Sequence, residues 1–351
     1  MKNYRNVIDS IYFAKNIKIL TGFAVVTMEC DSDNRIFTKF SLLGFVTYTI
    51  WLVIYFYVSY ISFCEDQTIL RSLHNTQLKH YGDVFERIVS IIYAIYAMWK
   101  VPFNISLTHG YIQEIIDVDR AIEKIYVPID HGKSARVTFF NATLQIVVSA
   151  ARLLTVWITL KNVETHIPTE VMVRVAFYDA VVMVTTSHYY LYLILLKDRY
   201  NMINKLLRDI KERKAWEYTV YVRSDELQDK YVCEKIKACA RIYGMLYNAH
   251  RTAKLMFGFA LLLTMLFCLL YIILYLFYFM EATASGLFHD TRRYVYFLIY
   301  VFWQIAYSLG VIYFSIYFSE GTVKEASVTS YITHEIINYH RSPAVKAEVR
   351  G

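Results

Sequence analysis

Apolar and polar positions fall along this chain in long blocks. Six apolar stretches stand out: Phe40–Phe63, Val84–Leu107, Thr138–Leu160, Val171–Leu196, Leu255–Met280 and Tyr294–Ser319. A helix needs roughly 20 such residues to cross a hydrocarbon core of about 30 Å. Backbone N–H and C=O groups in lipid must be satisfied within the segment, so each stretch is predicted to be a helix. The fold class is therefore an all-α polytopic membrane bundle. A shorter run, Ile17–Met28, opens with Lys15 and Lys18 and covers about half a span. It is read as an amphipathic or re-entrant element on the cytoplasmic side and not as a cleavable signal.

Between the fourth and fifth stretches the pattern changes period without losing order. Ile203, Leu206, Leu207 and Ile210 continue the fourth stretch at helical spacing. After a polar segment, Ser224–Lys230, a second stripe of Val232, Ile236, Cys239, Tyr243 and Leu246 leads into the fifth. Two long helices that leave the membrane together and pack as a bundle explain both stripes. A pair of amphipathic helices lying on the leaflet is the alternative.

Charge sets the orientation. Lys and Arg number six in the arm to Lys39, four in Thr108–Val137, fourteen in Lys197–Lys254 and four beyond Glu320. The first, third and fifth connections hold two, one and two. The split of 28 against 5 predicts a cytoplasmic N-terminus, and omitting the long fourth connection still leaves 14 against 5. The organisation expected is a cytoplasmic arm (1–39), a membrane bundle (40–319) interrupted by a cytoplasmic helical connection (197–254), and a cytoplasmic tail (320–351).

The net charge of +7 needs no nucleic acid once this asymmetry is counted, and none is expected as a partner. The lipid bilayer is the partner that the 56% hydrophobic content demands. Of five cysteines only Cys64 lies near the outer surface, so no disulfide framework follows. The sequons at Asn104 and Asn141 fall near cytoplasmic ends of spans and are read as chance matches. His74 and His80 share a short loop without a third ligand, so no metal is expected there. No histidine box, phosphate loop or nucleophile elbow is present, so no enzyme activity and no cofactor is expected. Asp198-Arg199-Tyr200 spells a G-protein-coupled-receptor signature, but it follows the fourth span in a chain of opposite orientation and no NPxxY accompanies it. It is read as an interfacial charge cluster at a helix end, and no G protein is expected.

Polar groups inside the spans are the candidate chemistry. Arg152 and Asp179 lie about eight residues from the outer ends of adjacent antiparallel spans, which predicts a pair. Such a pair either fixes helix register or borders a ligand cavity. In the second case Arg152→Ala would alter ligand response while surface expression persists. Arg174 and Lys100 lie nearer the interfaces, where long side chains reach water. Aromatic residues crowd the outer halves: Tyr93, Tyr96, Trp157, Tyr178, Tyr271, Tyr275, Tyr300 and Trp303, the last beside Gln304. Aromatic clefts with a few polar groups are the common form of small-molecule site. The candidate ligand-binding residues are Tyr93, Tyr96, Arg152, Trp157, Tyr178, Asp179, Tyr275, Tyr300, Trp303 and Gln304.

The cytoplasmic N-terminus, short outer loops and long charged fourth connection resemble the insect gustatory receptors, within the wider insect chemoreceptor superfamily. Two local blocks carry the resemblance further. Leu196-Lys197-Asp198-Arg199-Tyr200-Asn201-Met202-Ile203-Asn204-Lys205-Leu206-Leu207 is similar to the family's Arg-aromatic…Asn…Leu stretch after the fourth span. Phe318-Ser319-Glu320-Gly321-Thr322-Val323-Lys324-Glu325-Ala326-Ser327-Val328-Thr329 is similar to the block after its sixth span. The resemblance implies a ligand-gated, non-selective cation channel in the plasma membrane of sensory neurons. It implies assembly with other receptor subunits as a homo- or hetero-tetramer, and a small-molecule tastant bound in an outward-facing pocket among the first six spans. It also implies a seventh, pore-lining span with a Thr-Tyr pair followed by Gln-Phe. Glu320–Gly351 has neither that signature nor an apolar run of span length, so the expectation is a chain that stops short of the pore helix. An odorant receptor, a pore-less modulatory subunit and a six-span transporter are the alternatives.

Overall fold

The computed structural model describes residues 7–31, 35–64, 77–125, 128–162, 169–217, 225–284 and 291–339. The loop holding His74, the polar residues 218–224 and the tail beyond 339 lie outside the described residues. In chain order the elements are α1 (Val7–Ser10), α2 (Tyr12–Leu20), β1 (Val26–Cys30), β2 (Ile36–Phe40), α3 (Leu42–Cys64), α4 (Gln77–Phe103), α5 (Ile105–Lys124), α6 (His131–Asn162), α7 (Thr169–Glu217), α8 (Asp225–Ala284) and α9 (Thr291–Tyr339). Among the described residues five helices are long and apolar enough to cross a membrane on their own. The bent pair α4 and α5 makes a sixth if it counts as one span.

The N-terminal arm departs from the single amphipathic or re-entrant element expected. Helix α2 ends at Thr21, and Gly22 takes φ +77°, a left-handed turn that glycine adopts without a Cβ penalty. The chain then forms an antiparallel hairpin in which Val26 faces Phe40 and Cys30 faces Ile36. The apolar run Ile17–Met28 is thus divided between a helix and a strand, and the first span begins at Leu42 rather than Phe40.

The second apolar stretch was expected to run straight to Leu107; it instead bends by 64° at Asn104. Pro102 supplies no N–H to the Met98 carbonyl one turn back, and the Tyr48 hydroxyl lies 3.5 Å from that oxygen instead. Beyond the bend, the connection Thr108–Val137 is largely helix α5. Its stripe of Tyr111, Ile112, Ile115, Ile116 and Ile122 is buried.

Helices α7, α8 and α9 continue past the apolar region at one end, which we call the stalk. Helix α9 also carries the polar segment after Ser319, expected as a tail, as regular helix to Tyr339. Helix α7 is the centre of the molecule: 72% of its membrane segment is buried, against 22% for α3 and for α6. Two apolar cores follow from this arrangement. One fills the stalk with Leu195, Ile203, Leu207, Ile236, Leu246 and Ile332. The other fills the opposite half of the membrane region and is built largely of rings.

Candidate ligand site

Three helices each contribute one polar side chain to a cluster at mid-membrane. Arg152 comes from α6, Asp179 from α7 and Gln304 from α9, all buried. The Arg152 guanidinium donates through Nη1 to Asp179 Oδ1. Its Nε and Nη2 donate to Gln304 Oε1 at 3.0 and 2.6 Å. The Tyr307 ring lies beneath it, with its centroid 4.1 Å from the guanidinium carbon. The pairing deduced from equal depth on adjacent helices is present. The pair itself carries no net charge, and Gln304 extends the link to a third helix.

The predicted aromatic residues divide into those the fold brings together and those it does not. Tyr93 shares a hydrogen bond with Thr264 Oγ1 (2.8 Å) and packs edge-on against Tyr178, with ring centroids 5.7 Å apart. Tyr178 meets Tyr271 at 6.1 Å, and the Tyr275 and Tyr300 hydroxyls lie 3.3 Å apart. These rings are buried and fill the half of the bundle away from the stalk. Tyr96 lies apart from them, accepting a hydrogen bond from Lys100 Nζ (3.0 Å) and lining a different cavity. Trp157 is not brought into the cluster. It is 48% exposed on the outer face of α6, with Lys161 Nζ 5.1 Å from its ring.

A cavity of about 560 Å³ lies between α6, α7 and α9, in the stalk-side half of the membrane region. It begins at Ser149 and Trp303 and reaches Lys197 and Thr322. Tyr307 lines it, so the ring that carries Arg152 is also a wall of the cavity. Two lining groups, Trp303 Nε1 and Gln145 Oε1, are buried without a hydrogen-bond partner among the described residues. One is a donor and the other offers an acceptor, and leaving either unmatched costs about 1–3 kcal/mol. A cavity of this size falls within the range of about 300–1,000 Å³ that holds small organic molecules.

Below the cavity lie polar residues that sequence reasoning passed over. Arg199, read as an interfacial charge, is fully buried in the stalk. It donates from Nε and Nη2 to the two carboxylate oxygens of Asp119 on α5, each at 2.9 Å. Asn204 donates to the Glu325 carbonyl (2.8 Å) and accepts from Thr329 Oγ1 (2.6 Å). Thr322 Oγ1 donates to the Leu193 carbonyl at 3.2 Å. The block Leu196–Leu207 on α7 and the block Phe318–Thr329 on α9 therefore pack against each other.

The architecture defines a polytopic α-helical membrane protein with a charge-neutral polar cluster inside its bundle and three helices prolonged outside it. Within that class the chain belongs to the 7tm chemosensory receptor family, whose model matches residues 17–350. This is the family of insect gustatory and odorant receptors. No curated protein matches the chain.

Proposed function

We propose that this chemoreceptor is a gustatory receptor subunit that binds a small organic tastant in the α6–α7–α9 cavity. On this reading the subunit assembles as a homo- or hetero-tetramer, and binding opens a non-selective cation pathway across the plasma membrane. The stalk end is cytoplasmic on this reading, as the distribution of Lys and Arg indicates. The cavity then lies in the inner half of the membrane region and not in the outward-facing pocket that the resemblance implies, and of the ten candidate residues only Trp303 lines it. The observation that carries the proposal is the cavity itself, which holds one unmatched donor and one unmatched acceptor beside an aromatic wall. A ligand hydroxyl, which can accept from Trp303 Nε1 and donate to Gln145 Oε1, satisfies both groups. The gustatory branch is supported by the blocks Leu196–Leu207 and Phe318–Thr329, which meet along one α7–α9 contact.

The test is calcium imaging in cells expressing the chain alone and with other receptor subunits, against panels of sugars, alkaloids and volatiles. Once an agonist is found, Gln145→Leu and Trp303→Phe should each raise its half-maximal concentration about tenfold at unchanged surface level, the equivalent of one lost hydrogen bond of about 1.4 kcal/mol. An unchanged dose response in both variants removes the cavity as the ligand site. Responses confined to volatiles would remove the gustatory assignment.

A further inference from the structure

A second cavity, of about 160 Å³, lies under the N-terminal arm, walled by α2, the segment Phe23–Met28, α4, the start of α5, α7 and α8. It sits where the apolar part of α4 ends, at the bend toward α5. Among the described residues its cationic groups are Lys15, Lys18 and Lys100, with the His188 imidazole beside them, and no Asp or Glu lines it. The remaining lining is mostly aliphatic and aromatic.

The nitrogens are unequally engaged. Lys100 Nζ donates to the Tyr96 hydroxyl (3.0 Å) and the Met256 carbonyl (3.1 Å), and Lys15 Nζ reaches only the Met28 carbonyl at 3.4 Å. His188 Nδ1 lies 2.7 Å from the Val184 carbonyl, which places its hydrogen there and leaves Nε2 as an acceptor. Lys18 Nζ meets neither carboxylate nor carbonyl among the described residues, and burial lowers its pKa to about 8. Lys18 is half-buried at the mouth of the cavity, and an ammonium partly withdrawn from water with no carboxylate beside it gains from an incoming anion. Basic pockets between helices at a membrane boundary suit anionic head groups.

We infer that this cavity binds an anionic amphiphile, with a carboxylate or phosphate head at Lys18 and Lys15 and an apolar tail between α4, α7 and α8. The cavity is too small for a whole two-chain lipid, so the head and the first part of one chain occupy it. A membrane phospholipid and a free fatty acid share this chemistry. The inference does not depend on what the α6–α7–α9 cavity binds.

The purified full chain in neutral detergent provides the test, by thermal unfolding and by native mass spectrometry. The probes are phosphatidylserine, phosphatidylcholine, oleate and inorganic phosphate. Phosphatidylserine or oleate should raise the melting temperature and leave one bound copy per chain. A response to phosphatidylserine alone assigns a lipid, and one to oleate alone a free acid. Equal effects of phosphatidylcholine and phosphatidylserine, or an effect of inorganic phosphate as large as either amphiphile, would overturn the inference. Lys18→Met should weaken binding about tenfold and Lys18→Arg should restore it, because a charged donor is removed and then replaced. If Lys18→Met does not fold, Lys15→Met gives the same comparison. Undiminished binding in the folded variant also overturns the inference.

Discussion

The Arg199–Asp119 pair offers the sharpest test of the stalk. The Arg199 side chain is 0% exposed and Asp119 8%, and both carboxylate oxygens are engaged at 2.9 Å. The remaining guanidinium nitrogen, Nη1, reaches only the Leu195 carbonyl at 3.4 Å. Asp119→Asn keeps the volume but removes the negative charge, and its amide N–H₂ then faces guanidinium donors. Breaking one side of a buried pair costs about 3–5 kcal/mol, because a charge is left buried without compensation. Coulomb attraction at about 4 Å and an effective dielectric near 20 gives about 4 kcal/mol, the same order. Against a total stability of about 5–15 kcal/mol this is a large loss.

The assay is thermal unfolding of the full chain in detergent, run for wild type, Asp119→Asn, Arg199→Met and the double change Asp119→Leu with Arg199→Met. For a chain of this length a loss of 4 kcal/mol lowers the midpoint on the order of 5 °C. The double variant removes both charges and places apolar volume in an apolar core. It should recover most of the loss, since replacing a whole buried pair is often nearly neutral. A double variant as unstable as the singles would show that packing, not an uncompensated charge, sets the cost. Single variants that melt with the wild type would refute the buried pair altogether.

Four further outcomes follow. A Cβ on Gly44 would lie 2.2 Å from the Ala24 carbonyl oxygen, so Gly44→Ala should displace the arm and cost about 1–3 kcal/mol, seen as faster proteolysis before residue 42. Exposed Gly244 in α8 has nothing within 4 Å of its Cβ position, so Gly244→Ala should stabilise by about 0.5–1 kcal/mol in the same melts. On the proposed orientation, an impermeant maleimide applied to intact cells should label exposed Cys64. Buried Cys239, its thiol pushed up to about 12 by burial, should stay unlabelled until denaturation, and labelling of Cys64 only after permeabilisation would reverse the orientation. On the proposed channel function, Asn204→Ala should leave ligand affinity intact yet weaken the current evoked at saturation, and a shift in affinity alone would contradict the placement of Asn204 outside the ligand cavity.

Much of the bundle was legible because a membrane span is written in length and apolarity, which local windows read well. The Arg152–Asp179 pair was legible for a related reason: a charge in lipid needs a partner, and depth along antiparallel spans limits the choice. Arg199 escaped that logic because it lies past the apolar window, where a charge is assumed to be wet. Its helical neighbours tell otherwise, since Leu195, Leu196, Ile203 and Leu207 place it on a buried stripe, and Asp119 interrupts the stripe of Ile112, Ile115, Ile116 and Ile122 in the same way. Two charges inside two apolar stripes are a pairing signal as strong as two charges inside two spans. The hairpin of the arm was hidden by its shortness: Val26–Cys30 and Ile36–Phe40 are five residues each, and although Val26–Cys30 alternates apolar and polar, it is merged into the apolar run before it and Ile36–Phe40 does not alternate. The cavity could not be read at all, because it depends on how far α6 stands from α7 and α9.

That spacing bears on how a ligand would act. A molecule filling the cavity shifts a conformational equilibrium only if it binds one arrangement of the three helices better than another. Helices α7 and α9 are joined along the stalk side by Tyr189 with Ser319 (2.5 Å), Thr322 with Leu193 (3.2 Å), Asn204 with Thr329 (2.6 Å) and Lys211 with Glu335 (2.8 Å). Sliding one past the other by a turn, about 5.4 Å, would break all four bonds together. The pair is therefore expected to move as a unit. Helix α6 is tied to that unit by Arg152, whose partners Asp179 and Gln304 sit one on each helix. On the proposed function, the coordinate a ligand would act on is α6 against the α7–α9 pair, with the polar cluster as its fixed point, and the cavity lies between them. Because α7 and α9 run unbroken from the cavity wall into the stalk, a change of tilt at Tyr307 is delivered to the stalk by rigid helix, with no separate relay of side chains required.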